Sequence, residues 1–288
     1  MTATLEHITD ALAPEYLDTL IETALREDVG AGDITTDAIV APEMTCRGKV
    51  VCKEDGVAAG MPVLRRVFEL VDERIQVDVK VTDGDRVQDG TIVARLAGPA
   101  RGILAGERVS LNFLQHLSGI ASLTARYVKA VEGTKCVILD TRKTTPGLRL
   151  LEKYATRTGG ATNHRMGLYD DVLVKDTHLA LANGVTPALR AIRRAHPEAP
   201  INVEVSNLQE LEQALADRAP RLLLDNFSPG QVREAMQMIR GRARVEISGG
   251  VSLTNARAFA LAGADYISVG ALTHSATALD FSLKVTRY

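Results

Sequence analysis

From Lys135 onward, short apolar runs with the character of buried strands recur at regular intervals: Val137–Leu139, Val172–Val174, Ile201–Val205, Leu222–Leu224, Val245–Ile247 and Tyr266–Val269. A plausible helix precedes each of the later runs. The helix starts are marked by Thr186-Pro187, by Asn207 with Glu210 three residues on, by Ser228-Pro229 with Gln231, and by Ser252 before Leu253. Strand and helix alternating at this spacing mean parallel βα units. Six units are visible and there is room for a further strand, which favours a TIM-like α/β barrel, complete or short of strands, over an open doubly wound sheet. No GxGxxG follows the first strand, so the dinucleotide-binding alternative loses weight.

The chain before Lys135 has another texture. Tyr16–Glu27 sets Leu17, Leu20, Ile21, Ala24 and Leu25 on one face, an amphipathic helix whose role is packing; Gly30, Gly32 and Asp33 then break the pattern. Between Cys46 and Leu96 come short β-like pieces punctuated by Asp55-Gly56, Asp83-Gly84 and Asp89-Gly90, with a helical stretch at Pro62–Val71. These predict an N-terminal α+β sandwich domain on an antiparallel sheet. DGDRVQDGTIVARL is similar to lipoyl or biotinyl modules, but no lysine stands at the hairpin tip, so no swinging cofactor is expected. Leu104–Ala130 reads as a long helical connection, broken near Ser118-Gly119, with His116 as a surface or interface polar residue. The expected division is residues 1–115 for the α+β domain, with the tail from about 275 to 288 available to complete it, and 116–274 for the barrel.

A length of 288 residues suits one barrel with an appendage or two domains. The net charge of -2 argues against a nucleic-acid coat, so no nucleic-acid partner is expected. Cys46, Cys52 and Cys136 are an odd number without a CxxC pair, so neither a disulfide framework nor a structural zinc site is indicated, and a reducing cytoplasm is the simplest inference. MTATLEHITDALAPEY lacks a basic region followed by an apolar core, and no run approaches the roughly 20 apolar residues of a membrane helix. A cytosolic protein with no membrane partner is the expectation.

Against that neutral background, Ile138–His178 concentrates Arg142, Lys143, Arg149, Lys153, Arg157, His164, Arg165 and Lys175. Such a local excess suggests a small anionic ligand. Arg142-Lys143 and Lys175 directly follow strand-like runs, where α/β folds place binding groups. Glu204 and Asp225 stand in or at the end of the runs VEV and LLLDN, where a buried carboxylate must meet a cation or donor. Structural salt bridges and a magnesium site, direct or through water, both satisfy that need. Ser248-Gly249-Gly250 and Gly270 end the last two strands, where glycines let backbone N–H groups approach a phosphate. His274 follows closely, with a phosphate contact or a helix-capping role.

DTRKTTPG, YATRTGG, NHRMGLYDD and LVKDTH stand in the order and spacing of the quinolinate phosphoribosyltransferases, the carboxylating nicotinate-nucleotide pyrophosphorylases, and the chain resembles that family over nearly its whole length. The resemblance implies phosphoribosyl transfer from phosphoribosyl pyrophosphate to quinolinate with decarboxylation, within NAD biosynthesis and with Mg2+. It implies that Arg142, His164, Arg165 and Lys175 hold quinolinate, joined by Arg108 from a neighbouring subunit of a homodimer, itself able to assemble into a hexamer. Lys143 would contact the phosphoribosyl donor, Glu204 and Asp225 its ribose and the metal, and Ser248, Gly249, Gly250, Gly270 and His274 its 5-phosphate. Thr177, where the family pattern suggests Asn, and Ile247, where it suggests a small residue, depart from it. Two other readings stay open: a relative that uses nicotinate without decarboxylation, and a sensor that binds a sugar phosphate without turnover.

Overall fold

The structure is a computed structural model that describes residues 12–287. Residues 1–11, on which the expectation of a leader-free start largely rests, lie outside the described residues. The chain forms two compact units, one gathering Met1–Ala125, Thr144–Gly160 and Leu272–Tyr288, the other Arg126–Lys143 and Ala161–Ala271. Thr144–Gly160 lies inside the range read as barrel, yet it clusters with the first unit.

In the first unit, α1 (Pro14–Val29) buries Leu17 and Ile21. Asp33 caps α2 (Ile34–Ile39) by accepting from the amides of Thr35 and Thr36, which gives the GDITT stretch a structural reason. Strands β1 (Thr45–Cys52), β3 (Gln76–Val79), β5 (Ile92–Pro99) and β12 (Phe281–Arg287) form an antiparallel sheet in the order β12-β1-β5-β3; β2 (Gly56–Val57) and β4 (Arg86–Val87) form a separate pair. The tail therefore contributes a strand to the sheet, pairing Cys46–Cys52 with Phe281–Arg287. Helix α3 (Met61–Val71) begins where Asp83 accepts from the amides of Gly60 and Met61, at 2.8 and 2.9 Å, while Tyr154 donates to the same carboxylate. Leu64 and Phe68 of α3 join Leu96, Ile103, Leu111, Leu114 and Phe281 in one apolar cluster. On the other side, Val63 and Val67 meet Ile21, Leu117, Ile120 and Leu151, the last from α5 (Arg149–Thr158).

Helix α4 runs unbroken from Ala100 to Ala130, so the expected interruption at Ser118-Gly119 does not occur. Gly119 answers a packing demand instead: an added Cβ would lie 2.2 Å from the Thr277 carbonyl oxygen and 2.9 Å from Ala278 Cα. Gly119→Ala is therefore expected to destabilise the protein by about 1–3 kcal/mol through overpacking, despite the roughly 1 kcal/mol by which Ala exceeds Gly in helix propensity. Thermal unfolding checks this; a raised midpoint would refute it. His116 is not an idle surface group, since its Nε2 lies 2.9 Å from Oε1 of the fully buried Glu152.

The second unit is a barrel-like parallel sheet of β6 (Val137–Leu139), β7 (Val172–Val174), β8 (Ile201–Val205), β9 (Arg221–Asp225), β10 (Arg244–Ser248) and β11 (Tyr266–Ser268), ordered β6-β11-β10-β9-β8-β7. Among the described residues no ladder joins β7 to β6. Helices α6 (Asp176–Leu181), α7 (Val185–Ala195), α8 (Leu208–Ala216), α9 (Pro229–Ile239) and α10 (Ala256–Leu261) fall between or after the strands, while α11 (Ala271–His274) belongs to the first unit from Leu272 on. Alternate strand residues Val203, Val205, Leu222, Leu224, Val245 and Ile247 are wholly buried, as are Leu211, Ala214, Val232 and Ala235 of the helices. Asn207 accepts from Glu210 N, and Ser228 with Gln231 forms a capping box, as read from the sequence. Two starts shift. Helix α7 begins at Val185 after Gly184 (φ 111°), and the Thr186 hydroxyl bonds Asp217 instead of capping; α10 begins at Ala256, because Ser252 N donates to Asn255 Oδ1 in a preceding turn.

Candidate active site

Parallel pairing brings the carboxyl ends of the six strands to one side of the sheet, and the polar residues read from the sequence cluster there. Asp140, the residue after β6, is fully buried; its Oδ1 accepts from the His164 amide at 2.8 Å and its Oδ2 from Asn163 Nδ2 at 2.5 Å. The loop carrying His164 and Arg165 is thereby tied to the end of β6. Asn163 thus supports the loop, whereas Thr141 forms a turn, accepting from the Lys143 amide at 3.0 Å. Asp170 pins the same loop by accepting from the amides of Met166 and Gly167.

Arg165 lies half-buried, with Nη1 donating to the Asp171 carbonyl at 3.0 Å. Burial pulls its guanidinium pKa below the usual value, and the like charge of Arg142 pulls the same way. Two guanidinium groups thus share a partly desolvated place. Burial also pushes the Asp171 carboxyl up, partly offset by His164, Arg221 and Arg165.

A second group forms around β8 and β9. Burial raises the Glu204 carboxyl, and the charges of Asp225 and Asp176 raise it further against Lys175 and the Asp176 amide. Asp225 is raised chiefly by burial too, with Asp176 adding to it and Lys143, Lys175 and the Asn226 side chain opposing. Three carboxylates and two lysines therefore sit within electrostatic reach of one another. Lys175 opens α6, its amide donating to His178 Nδ1 at 3.0 Å.

At the end of β10, Ser248 pairs in register with Asp225. Gly249 (φ 82°) and Gly250 (φ 63°) then turn through left-handed backbone, and a Cβ on Gly249 would fall 2.2 Å from Asn226 Oδ1. No side chain fits there, and an anion could approach backbone closely. Gly270 follows β11 at the same end of the sheet.

Two candidates are carried by the other unit. Arg108, exposed on α4, and His274, exposed with Nδ1 2.6 Å from Ser275 Oγ, both belong to the first compact unit. The basic stretch also divides: Arg149, Lys153 and Arg157 lie on α5 in the first unit, where Lys153 is only 2% exposed.

Sequence reasoning missed Glu246. It is fully buried in β10, where Asn202 Nδ2 donates to Oε2 at 2.7 Å, the Ser268 hydroxyl donates to Oε1, Arg221 Nη2 stands 2.8 Å from Oε2, and His164 Nε2 stands 3.3 Å from Oε1. The available signal was an acid inside an apolar run, VEI, the same signal that marked Glu204 in VEV.

A parallel barrel-like sheet that gathers cations, carboxylates and a glycine turn at its strand ends is the arrangement of an α/β-barrel enzyme. Family models make this specific. The N-terminal domain model of quinolinate phosphoribosyl transferase matches residues 33–118 and the C-terminal domain model residues 120–284. The chain belongs to the quinolinate phosphoribosyltransferase family. It is 47% identical over 269 residues, 91% of this chain and 95% of the relative, to the nicotinate-nucleotide pyrophosphorylase [carboxylating] of Mycobacterium leprae. It is 41% identical over 271 residues, 94% of this chain and 93% of the relative, to the probable enzyme of that name from Bacillus subtilis. The crystal structure of NadC from Streptococcus pyogenes superposes with a TM-score of 0.92 at 43% identity, covering 96% of this chain and 98% of that one.

Proposed function

We propose that this protein transfers the phosphoribosyl group of phosphoribosyl pyrophosphate to quinolinate and decarboxylates the product, giving nicotinate mononucleotide, pyrophosphate and CO2 in de novo NAD biosynthesis. The observation that carries the reading is the half-buried pair Arg142 and Arg165: burial and the charge of Arg142 lower the Arg165 pKa despite the opposing acids Asp171, Asp170 and Glu246, and a dianionic ligand would favour the charged pair. A base with one carboxylate would need fewer cations. Guanidinium groups bind carboxylates through paired hydrogen bonds, so Arg142 and Arg165, with Lys175 and His164, orient the ring. Ser248, Gly249, Gly250 and Gly270 receive the 5-phosphate.

The ring nitrogen attacks the anomeric carbon as the carbon–oxygen bond to pyrophosphate breaks and its electron pair leaves with the pyrophosphate. Lys143 stabilises the departing charge, and Glu204 and Asp225 face the cationic sugar. The nitrogen is then quaternary, so the ring accepts the electron pair of the adjacent carbon–carboxylate bond as CO2 departs, and a proton replaces the carboxylate. No covalent enzyme intermediate is needed.

The donor set suits magnesium, which takes few protein carboxylates and keeps substrate phosphates as ligands. Among the described residues no cluster of three or more His, Cys, Asp or Glu side chains forms a closed cage, while Asp176 raises the pKa of both Glu204 and Asp225, Asp225 adds to that of Glu204, and both carboxyls gain from a cation. These two would hold it, directly or through water, and it would supply neutralising charge for pyrophosphate.

We assign Arg108, exposed on α4, to the site of a neighbouring copy, which makes the active unit a homodimer with shared sites. Mixing Arg108→Ala with Lys143→Ala protein is expected to restore about half of the wild-type activity per mixed dimer, since mixed dimers of that kind keep one intact site; no recovery in demonstrated mixed dimers would refute shared sites. Among the described residues no helix is long and apolar enough to cross a membrane, and the proposed setting is the cytoplasm.

Product analysis decides the assignment. Incubation with phosphoribosyl pyrophosphate, Mg2+ and either quinolinate or nicotinate should yield nicotinate mononucleotide and CO2 from quinolinate alone. Turnover of nicotinate alone would overturn the role of the arginine pair, and no turnover of either would favour a sugar-phosphate sensor.

A further inference from the structure

The proposed chemistry has no use for Glu246, yet its buried carboxylate meets four side chains. Four segments converge on it: Ser268 and His164 at Oε1, Asn202 and Arg221 at Oε2. Burial alone would raise this carboxyl, but its partners His164, Arg221 and Ser268 outweigh it and hold the pKa below the usual carboxylate range. An ionised carboxylate in the sheet interior needs such partners.

One of these contacts leads to the rim. His164 Nδ1 accepts the backbone N–H of Arg165 at 2.8 Å, so this nitrogen carries no proton; the ring proton then sits on Nε2, which faces Glu246 Oε1. The backbone of His164 is held separately by Asp140, and Arg165 Nη1 is held by the Asp171 carbonyl. Ring orientation, tautomer and the Arg165 amide are thus linked in series to one buried acceptor.

We infer that Glu246 is a positioning residue for substrate recognition: by accepting the Nε2 hydrogen bond of His164 it selects the tautomer that receives the Arg165 amide, and so aims the Arg165 guanidinium beside Arg142. This rests on the reading of the arginine pair as the carboxylate-binding element. His164 then acts in part through its neighbour's backbone, and the pocket for the dicarboxylate is set from inside the sheet. A supporting carboxylate behind a working histidine fixes ring orientation in many sites, and its loss loosens the group it supports.

Two measurements test this. In the wild-type protein, nitrogen-15 NMR of the His164 ring should report a protonated Nε2 and an unprotonated Nδ1; a protonated Nδ1 would overturn the inference, whatever the variants do. In steady-state kinetics, Glu246→Gln should raise KM for quinolinate by about tenfold while KM for phosphoribosyl pyrophosphate stays within about twofold. Asn202→Ala touches the other carboxylate oxygen and should lower thermal stability, with both Michaelis constants within about twofold of wild type. Equal changes for both substrates, or the same quinolinate shift in both variants, would mean general distortion and overturn the proposal. Failure of the wild type to turn over quinolinate would instead remove the functional reading and leave the NMR result standing.

Discussion

Arg165→Ala is expected to lower kcat/KM for quinolinate by about 10²–10³-fold, because truncating one member of a partly desolvated charge pair that grips a carboxylate typically costs roughly 2–5 kcal/mol. The kinetic effect should fall on quinolinate, since the phosphate turn at Gly249-Gly250 does not involve this side chain. Arg165→Lys should recover only part of the loss: an ammonium keeps the charge but not the planar pair of donors. A quinolinate kcat/KM within threefold of wild type would remove Arg165 from the site.

Glu204→Gln should show the opposite signs in activity and stability. Turnover should fall by about 10²–10³-fold, the usual cost of removing a group that stabilises charge in the transition state. The folded protein should become more stable at neutral pH. The Glu204 pKa is raised above its ordinary 4.5, so its favourable contribution is complete when the carboxyl is protonated and is lost as pH rises through the folded value. At pH 7 the ionised group therefore opposes folding, and Gln removes that opposition, with a gain of roughly 1–3 °C in melting temperature. The gap should close as pH falls toward 4.5, where wild type carries the proton itself. A gap independent of pH, or a less stable variant, would contradict the electrostatic account. Asp225→Asn should behave alike, through its own raised pKa. Stability is here given up at the residues that make function possible.

The parallel sheet was legible because its strands are buried runs closed by polar residues, and those closing residues, Arg142, Lys143, Lys175, Asp225 and Ser248, are the candidates for the proposed site as well as the marks of the strand ends. The same habit hid Glu246: read as part of an apolar run, it gave no periodic signal, and its partners Asn202, Arg221, Ser268 and His164 come from distant segments that only the fold brings together. Gly119 misled for a related reason. A glycine within a helical pattern reads as a weakness, and only the close approach of Thr277 explains it. Nor could periodicity reveal that Thr144–Gly160 leaves the barrel sequence to pack with the first unit, since Leu151 and Ala155 look alike in any core.

The pairing of β12 with β1 also has a consequence for how the protein is made. Every residue of the second unit leaves the ribosome before Phe281–Arg287 does, whereas β1 emerges early. At roughly 5–20 residues per second, the outer edge of β1 waits on the order of tens of seconds for its last partner. The unit that comes first in the chain is thus the last to be finished, and through that interval it presents an open strand to any neighbouring nascent copy.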